Sequence, residues 1–145
     1  MNIIITQNTH SQTYQDALSI RRDVFVEEQH IPETIEIDHL ETLCQHVVLY
    51  SDDHQPIATT RILPLDETTW KIQRVAVKKA WRGQTMGQQL LQSITDLAYE
   101  QGITCLTLNA QQPSIGFYQA LGYQTYGEVF SEAGIPHQAM KRLLN

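Results

Sequence analysis

Two cysteines in 145 residues cannot staple a fold. Cys44 and Cys105 both fall in apolar segments, where a buried free thiol is the expected state, and neither is assigned a function. The six histidines are scattered, and none joins a cysteine at metal-site spacing, so no metal is expected. No apolar run is long enough to cross a bilayer, and MNIIITQ lacks the basic start and cleavage site of a signal peptide. The expectation is a cytoplasmic protein with no membrane partner. An excess of positive charge is missing too: ten Lys and Arg stand against sixteen Asp and Glu, and the net charge of −6 argues against nonspecific binding of nucleic acid.

What remains is an ordinary globular composition, 41% hydrophobic and 18% charged, of a size that suits one domain over residues 1–145. Charge is segregated along it. Six carboxylates (Glu27, Glu28, Glu33, Glu36, Asp38, Glu41) lie between positions 27 and 41 with no Lys or Arg, whereas Lys71, Arg74, Lys78, Lys79 and Arg82 crowd into positions 71–82.

Hydrophobic spacing predicts a strand at 3–6, then a helix through Tyr14, Ala17, Leu18, Arg21, Val24 and Phe25 that ends near Gln29. Pro32 stops or bends the chain there, and 33–41 form a short acidic helix or a loop. Runs at 44–50, 57–63 and 70–77, joined by turns rich in Asp and Pro, predict an antiparallel meander. The stripe Leu90, Leu91, Ile94, Leu97, Ala98 predicts a helix over 87–101, with Gly102 as its left-handed cap. CLTLNA at 105–110 reads as a strand parallel to 70–77, reached by a right-handed crossover. A short helix at 114–120 ends at Gly122, and two strands, 123–130 and 136–144, close the chain.

The stretch VAVKKAWRGQTMGQQLL, Val75 to Leu91, carries the chemistry. A strand that runs into a helix aims the free N–H groups of the first helical turn beyond the strand, which is a site for an anion. Gly83 and Gly87 let the loop fold tightly and a ligand come close, and Lys78, Lys79 and Arg82 add attraction for a polyphosphate. On its own, G-x-x-x-G fits a plain turn equally well. Nucleotide folds do not match: Gly87 is followed by Gln88 and Gln89 rather than the Lys and Ser/Thr of a phosphate loop, and no G-x-G-x-x-G follows an N-terminal strand.

The run V-A-V-x-x-x-W-R-G-x-x-M-G-x-x-L-L resembles the coenzyme A loop of the GNAT N-acetyltransferase superfamily, whose pattern is [QR]-x-x-G-x-[GA] after a V-A-V type strand. Arg82 takes its first position and Gly87 its last. FYQALGY, Phe117 to Tyr123, is similar to the superfamily's F-Y-x-x-x-G-[FY] segment, and RRDVFVEEQ near the N-terminus resembles a subgroup signature. Thr85 departs from the pattern, because it stands where a glycine is usual and a β-branched residue resists positive φ. Either the loop stays in ordinary backbone space there or it is strained.

The resemblance implies an α/β single-domain GNAT-type fold: a mixed, mostly antiparallel sheet of six to seven strands, flanked by helices, with a splayed central strand pair. It implies acetyl-CoA as cosubstrate and no metal. The pantetheine arm would pair with the backbone of Val75, Ala76 and Val77, and the pyrophosphate would rest on amides of Arg82, Gly83, Gln84, Thr85, Met86, Gly87 and Gln88. An amine attacks the thioester directly, through a tetrahedral intermediate. Tyr118 takes the role of acid toward the departing thiolate, while Phe117 packs the core. The base is open among Glu28, Glu36, Asp38 and His137, with Glu28 ranked first for its place in the subgroup signature. Asn109 matches a polar residue facing the acetyl group, and Gln111 follows on the same side of the strand.

The partner expected is a small-molecule amine, with a homodimer left open. The six carboxylates would rim the acceptor side and favour a small cationic amine, so that salt, or neutralising Glu36 and Asp38, raises the acceptor KM. The rival from another class is a non-catalytic acyl-CoA-sensing module, which would bind the thioester without releasing thiol.

Overall fold

The computed structural model describes residues 1–145. Seven strands form one sheet: β1 (Asn2–Thr6), β2 (Gln45–Tyr50), β3 (Pro56–Pro64), β4 (Thr69–Val77), β5 (Cys105–Gln111), β6 (Gln124–Glu132) and β7 (Ile135–Leu143). Their order is β1-β2-β3-β4-β5-β7-β6, antiparallel at every step except β4–β5, which is parallel as the crossover requires. The helices are α1 (Gln12–Arg21), the single turn α2 (Glu33–Glu36), α3 (Met86–Glu100) and α4 (Ile115–Ala120). Their boundaries agree with the periodicity to within a few residues.

Side chains alternate faces along a strand, and β2 makes the layering plain. Val47 and Leu49 join a core with Leu90, Leu91, Ile94 and Ala98 of α3, whereas Val48 and Tyr50 join a second core with Ala17 and Ile20 of α1. The sheet is thus covered on one face by α1 and on the other by α3. Ser11 caps α1 by accepting a hydrogen bond from the Tyr14 N–H.

The helix predicted to end near Gln29 does reach that far, but from Arg22 to Glu28 it winds as a π-helix, with the Gln29 N–H donating to the Val24 carbonyl. Val24 and Phe25 stay buried on it. Such wider turns gather at functional sites, and this one lines the cleft described below.

Beneath the turn at α2 lies a buried charge cluster. Arg21 and Arg61, each 1% exposed, grip the same carboxylate, Glu41, at 2.7 and 2.6 Å. Arg21 also holds Glu36 at 2.8 Å, and Arg61 holds Asp38 at 2.9 Å. Burial by itself raises the Asp38 and Glu41 pKa values, but arginine hydrogen bonds and an N–H on each carboxylate outweigh it, so both end below the ordinary range. For Glu36 burial prevails over its arginines and the value rises.

A depressed carboxyl stabilises the fold above its unfolded pKa, near 4, and that contribution is lost as pH falls through the folded value; a raised one acts with the opposite sign. Two depressed groups against one raised group predict a urea midpoint that declines steadily below pH ~4. Asp38→Asn should flatten that decline relative to wild type, and an unchanged slope would exclude Asp38 as a source.

Candidate active site

β4 and β5 are paired only from Thr69↔Cys105 to Ile72↔Leu108. Beyond that point β4 stays with β3 (Thr59↔Ala76, Ala58↔Val77), and β5 stays with β7 (Asn109↔Ala139, Gln111↔His137). The two strands part because the β3–β4 register shifts between Thr59 and Arg61, opposite Arg74, whose φ of 57° is left-handed. The backbone of Val75, Ala76 and Val77 therefore has no β5 partner and edges an open cleft.

Two chambers meet in that cleft. The larger, about 670 Å³, opens toward the π-helix and α2; the smaller, about 480 Å³, opens toward the start of α3. Val75, Val77, Arg82, Ser114, Phe117 and Tyr118 line both.

The smaller chamber has the makings of an anion site. Thr85 precedes α3 without a side-chain cap, so the N–H groups of Met86, Gly87 and Gln88 lack intrahelical partners. Gly83 has φ 75° and Thr85 has φ 65°, so the loop takes the strained alternative, at about 1–2 kcal/mol for the β-branched residue. The Thr85 hydroxyl accepts a hydrogen bond from Gln89 Nε2 at 3.1 Å. A Cβ at Gly87 would stand 3.3 Å from the Phe117 ring and 3.6 Å from Val77, so the helix start presses close on α4 and β4. Phosphates matched by uncapped amides and an apolar floor for an acyl chain fit coenzyme A. Of the residues expected to hold it, Val75, Val77, Arg82, Gly83, Thr85, Met86, Gly87 and Gln88 line this chamber. Ala76 lines the larger one, and Gln84 points out, donating to the Ala80 carbonyl.

Tyr118 is 7% exposed and stands between the chambers, its ring edge-on to Phe117 and Tyr123. Burial, then the neighbouring Tyr123, push its pKa well up, with no hydrogen bond to offset them. The phenol therefore keeps its proton at any physiological pH. Phe117, expected in the core, is 39% exposed and forms the chamber wall under Gly87.

Three of the six expected rim carboxylates, Glu28, Glu36 and Asp38, do line the larger chamber, but each is paired with arginine. Glu28 receives both Arg82 guanidinium nitrogens at 2.8 Å, Glu33 is bonded to Arg22, and Glu36, Asp38 and Glu41 sit in the arginine cluster, leaving only Glu27 without an ion pair. Arg74, from the basic run at 71–82, pairs with Glu36 at 3.1 Å and Asp38 at 3.3 Å. With its carboxylates neutralised, the segment supplies no screened field for a cation, and the expected salt dependence of the acceptor KM loses its basis. Neutralising Glu36 and Asp38 would instead strip buried arginines of partners.

Of the other expected residues, Glu28 and Asn109 line the larger chamber. Hydrogen bonding from Arg82 lowers the Glu28 pKa, which makes that carboxylate a poor base while the pair stands. Asn109 donates to Glu132 at 3.4 Å, and Gln111 donates to Gln29 at 2.8 Å. Glu132 was not singled out by sequence, where it is one more charge in a turn. No cluster of His, Cys, Asp and Glu gathers as a metal site, both cysteines are free, and no helix is long and apolar enough to cross a membrane.

The acetyltransferase (GNAT) domain pattern matches residues 9–144. The Bacillus subtilis protein YyaT is 37% identical over 141 residues, covering 95% of this chain and 94% of its own. The N-acetyltransferase YjcF of the same organism is 33% identical over 143 residues, covering 98% and 99%. The crystal structure of an N-acetyltransferase from Lactobacillus plantarum superposes with a TM-score of 0.91 at 30% identity, covering 99% of this chain and 98% of that one.

Proposed function

The chain belongs to the GNAT acetyltransferase family, and we propose that it transfers an acetyl group from acetyl-CoA to a primary amine of a small molecule. The observation that carries this reading is the position of Tyr118, a protonated phenol among the residues shared by a chamber suited to an anion and a second, larger chamber. GNAT proteins of known structure bind coenzyme A or a CoA-linked acyl donor, and the uncapped start of α3 is suited to its pyrophosphate.

In the proposed reaction the free edge of β4 aligns the pantetheine arm, and the amides of 86–88 hold the phosphates. An amine entering through the larger chamber attacks the thioester carbonyl. The leaving thiolate, with a conjugate-acid pKa near 8.5 if it resembles cysteine, meets the Tyr118 hydroxyl. Because burial raises that phenol further above the thiol, full transfer to sulfur is uphill on its own, so the hydroxyl donates a hydrogen bond to the charge that builds on sulfur and gives up its proton only as another proton replaces it.

Tyr118→Phe should lower kcat about tenfold or more and change coenzyme A affinity by less than about twofold. The measurement is thiol release from acetyl-CoA across a panel of primary amines, with calorimetry for binding. Binding without thiol release from any amine would favour the non-catalytic sensing module.

A further inference from the structure

Resting on that reading, we propose that His137 is the catalytic base that takes the proton from the acceptor ammonium, with Glu132 beside it to receive the cation. His137 lies on β7 opposite Gln111, at the wide end of the β4–β5 splay, and is 6% exposed while lining the larger chamber. Its Nδ1 is 2.7 Å from the Ile135 carbonyl. A carbonyl only accepts, so Nδ1 carries the hydrogen and the neutral ring keeps its lone pair on Nε2. That nitrogen stands 3.6 Å from the Glu132 carboxylate, which Asn109 holds from the other side at 3.4 Å. A carboxylate with an imidazole lone pair beside it attracts an ammonium and takes its proton.

The charged groups facing His137 are few once pairs are removed. Glu132 comes from β6; across the chamber lie Lys71 and Arg74 of β4, Arg61 of β3, and Glu28, Glu36, Asp38 and Arg82. Arg82 is paired with Glu28, and Arg61 and Arg74 with Asp38 and Glu36. Among the four candidate bases Glu28, Glu36, Asp38 and His137, only the histidine is free of arginine.

An alkylammonium with pKa near 10.4 is neutral in about one molecule in 2,500 at pH 7, so removing its proton is the step that most needs a base. The ammonium gives one proton to His137 Nε2. Its nitrogen then bonds to the acyl carbon, the C–S bond breaks, and Tyr118 protonates the sulfur. The second nitrogen proton restores the tyrosine through solvent and the imidazolium discharges to water, so one proton is released per amide formed.

His137→Asn retains a side-chain N–H for Ile135 and removes the lone pair. With acetyl-CoA and a panel running from aliphatic diamines to weakly basic arylamines, the variant should lose about tenfold or more in kcat/KM on aliphatic amines near neutral pH. It should lose less than about threefold on arylamines, which are already neutral. The rise of wild-type kcat/KM with pH should shift in the variant toward the amine's own pKa. Glu132→Gln should raise KM for aliphatic amines more than it lowers kcat. Wild type that turns over no amine would sink the acetyl-transfer reading itself. Active wild type with a variant that keeps the same pH profile and the same ranking of amines would overturn the His137 assignment alone, and calorimetry with coenzyme A excludes a misfolded variant.

Discussion

Gly87→Glu is expected to abolish coenzyme A binding while the fold stands. The residue is the second of the uncapped α3 positions, and its missing side chain leaves the amide of the helix start open to the smaller chamber. A carboxylate there faces the space proposed for the pyrophosphate, and like charges brought together in an interface cost several kcal/mol, a loss of at least about a hundredfold in affinity. The steric cost is smaller. The new Cβ meets the far end of the Phe117 ring at 3.3 Å, and that ring is 39% exposed and able to give by a few tenths of an ångström. Gly87→Ala separates the two causes, because it adds the Cβ without the charge and should weaken binding by well under about tenfold. Native affinity in the glutamate variant by calorimetry would remove the phosphate assignment from this loop.

Glu41→Ala is expected to cost about 3–5 kcal/mol of stability, because it leaves two arginines buried without the carboxylate they share. Arg21 and Arg61 each bond Glu41 from inside the protein, the Tyr14 hydroxyl donates to it at 3.2 Å, and the Asp38 N–H donates at 3.1 Å. Removing one side chain therefore takes five hydrogen bonds from four residues at once, although Arg21 keeps Glu36 and Arg61 keeps Asp38. Glu33→Ala is the control: its pair with Arg22 is roughly half exposed on both sides, and surface pairs are worth about 0–1 kcal/mol. Urea denaturation compares them. A Glu41→Ala loss below about 1 kcal/mol would mean that the cluster relaxes into water and holds nothing together.

The consequence reaches the active site, since Glu36, Asp38, Arg61 and Arg74 form part of the wall of the larger chamber. A wall of mutually paired charges is stiff and close to neutral. On the proposed reading, recognition of the acceptor falls to the charged lining groups outside the arginine pairs, Lys71 and the Glu132–His137 end.

Local chemistry was legible in the sequence. Apolar periods set the helices and strands, and the strand-to-helix handover with its glycines marked the uncapped start of α3, while it was the resemblance of the F-Y segment that pointed to Tyr118, which lines the cleft. The helices, strands and handover depend on neighbours within a few positions, and period and turn chemistry report them directly. The charge pattern misled because partners were not neighbours. Glu36 and Glu41 looked like part of an acidic rim, yet their arginines lie 15 and 20 residues back in the chain, brought beneath them by the packing of α1 on the sheet. Phe117 looked like core and is wall, because the close approach that Gly87 permits puts its ring at the mouth of the smaller chamber. Thr85 left two backbone states open, and the tertiary structure chose the left-handed one by fixing the angle at which α3 leaves the loop. The free lone pair of His137 had no signal in sequence at all, since it depends on a carbonyl two residues away being turned toward the ring and on three rival carboxylates being claimed by arginines from distant strands and loops.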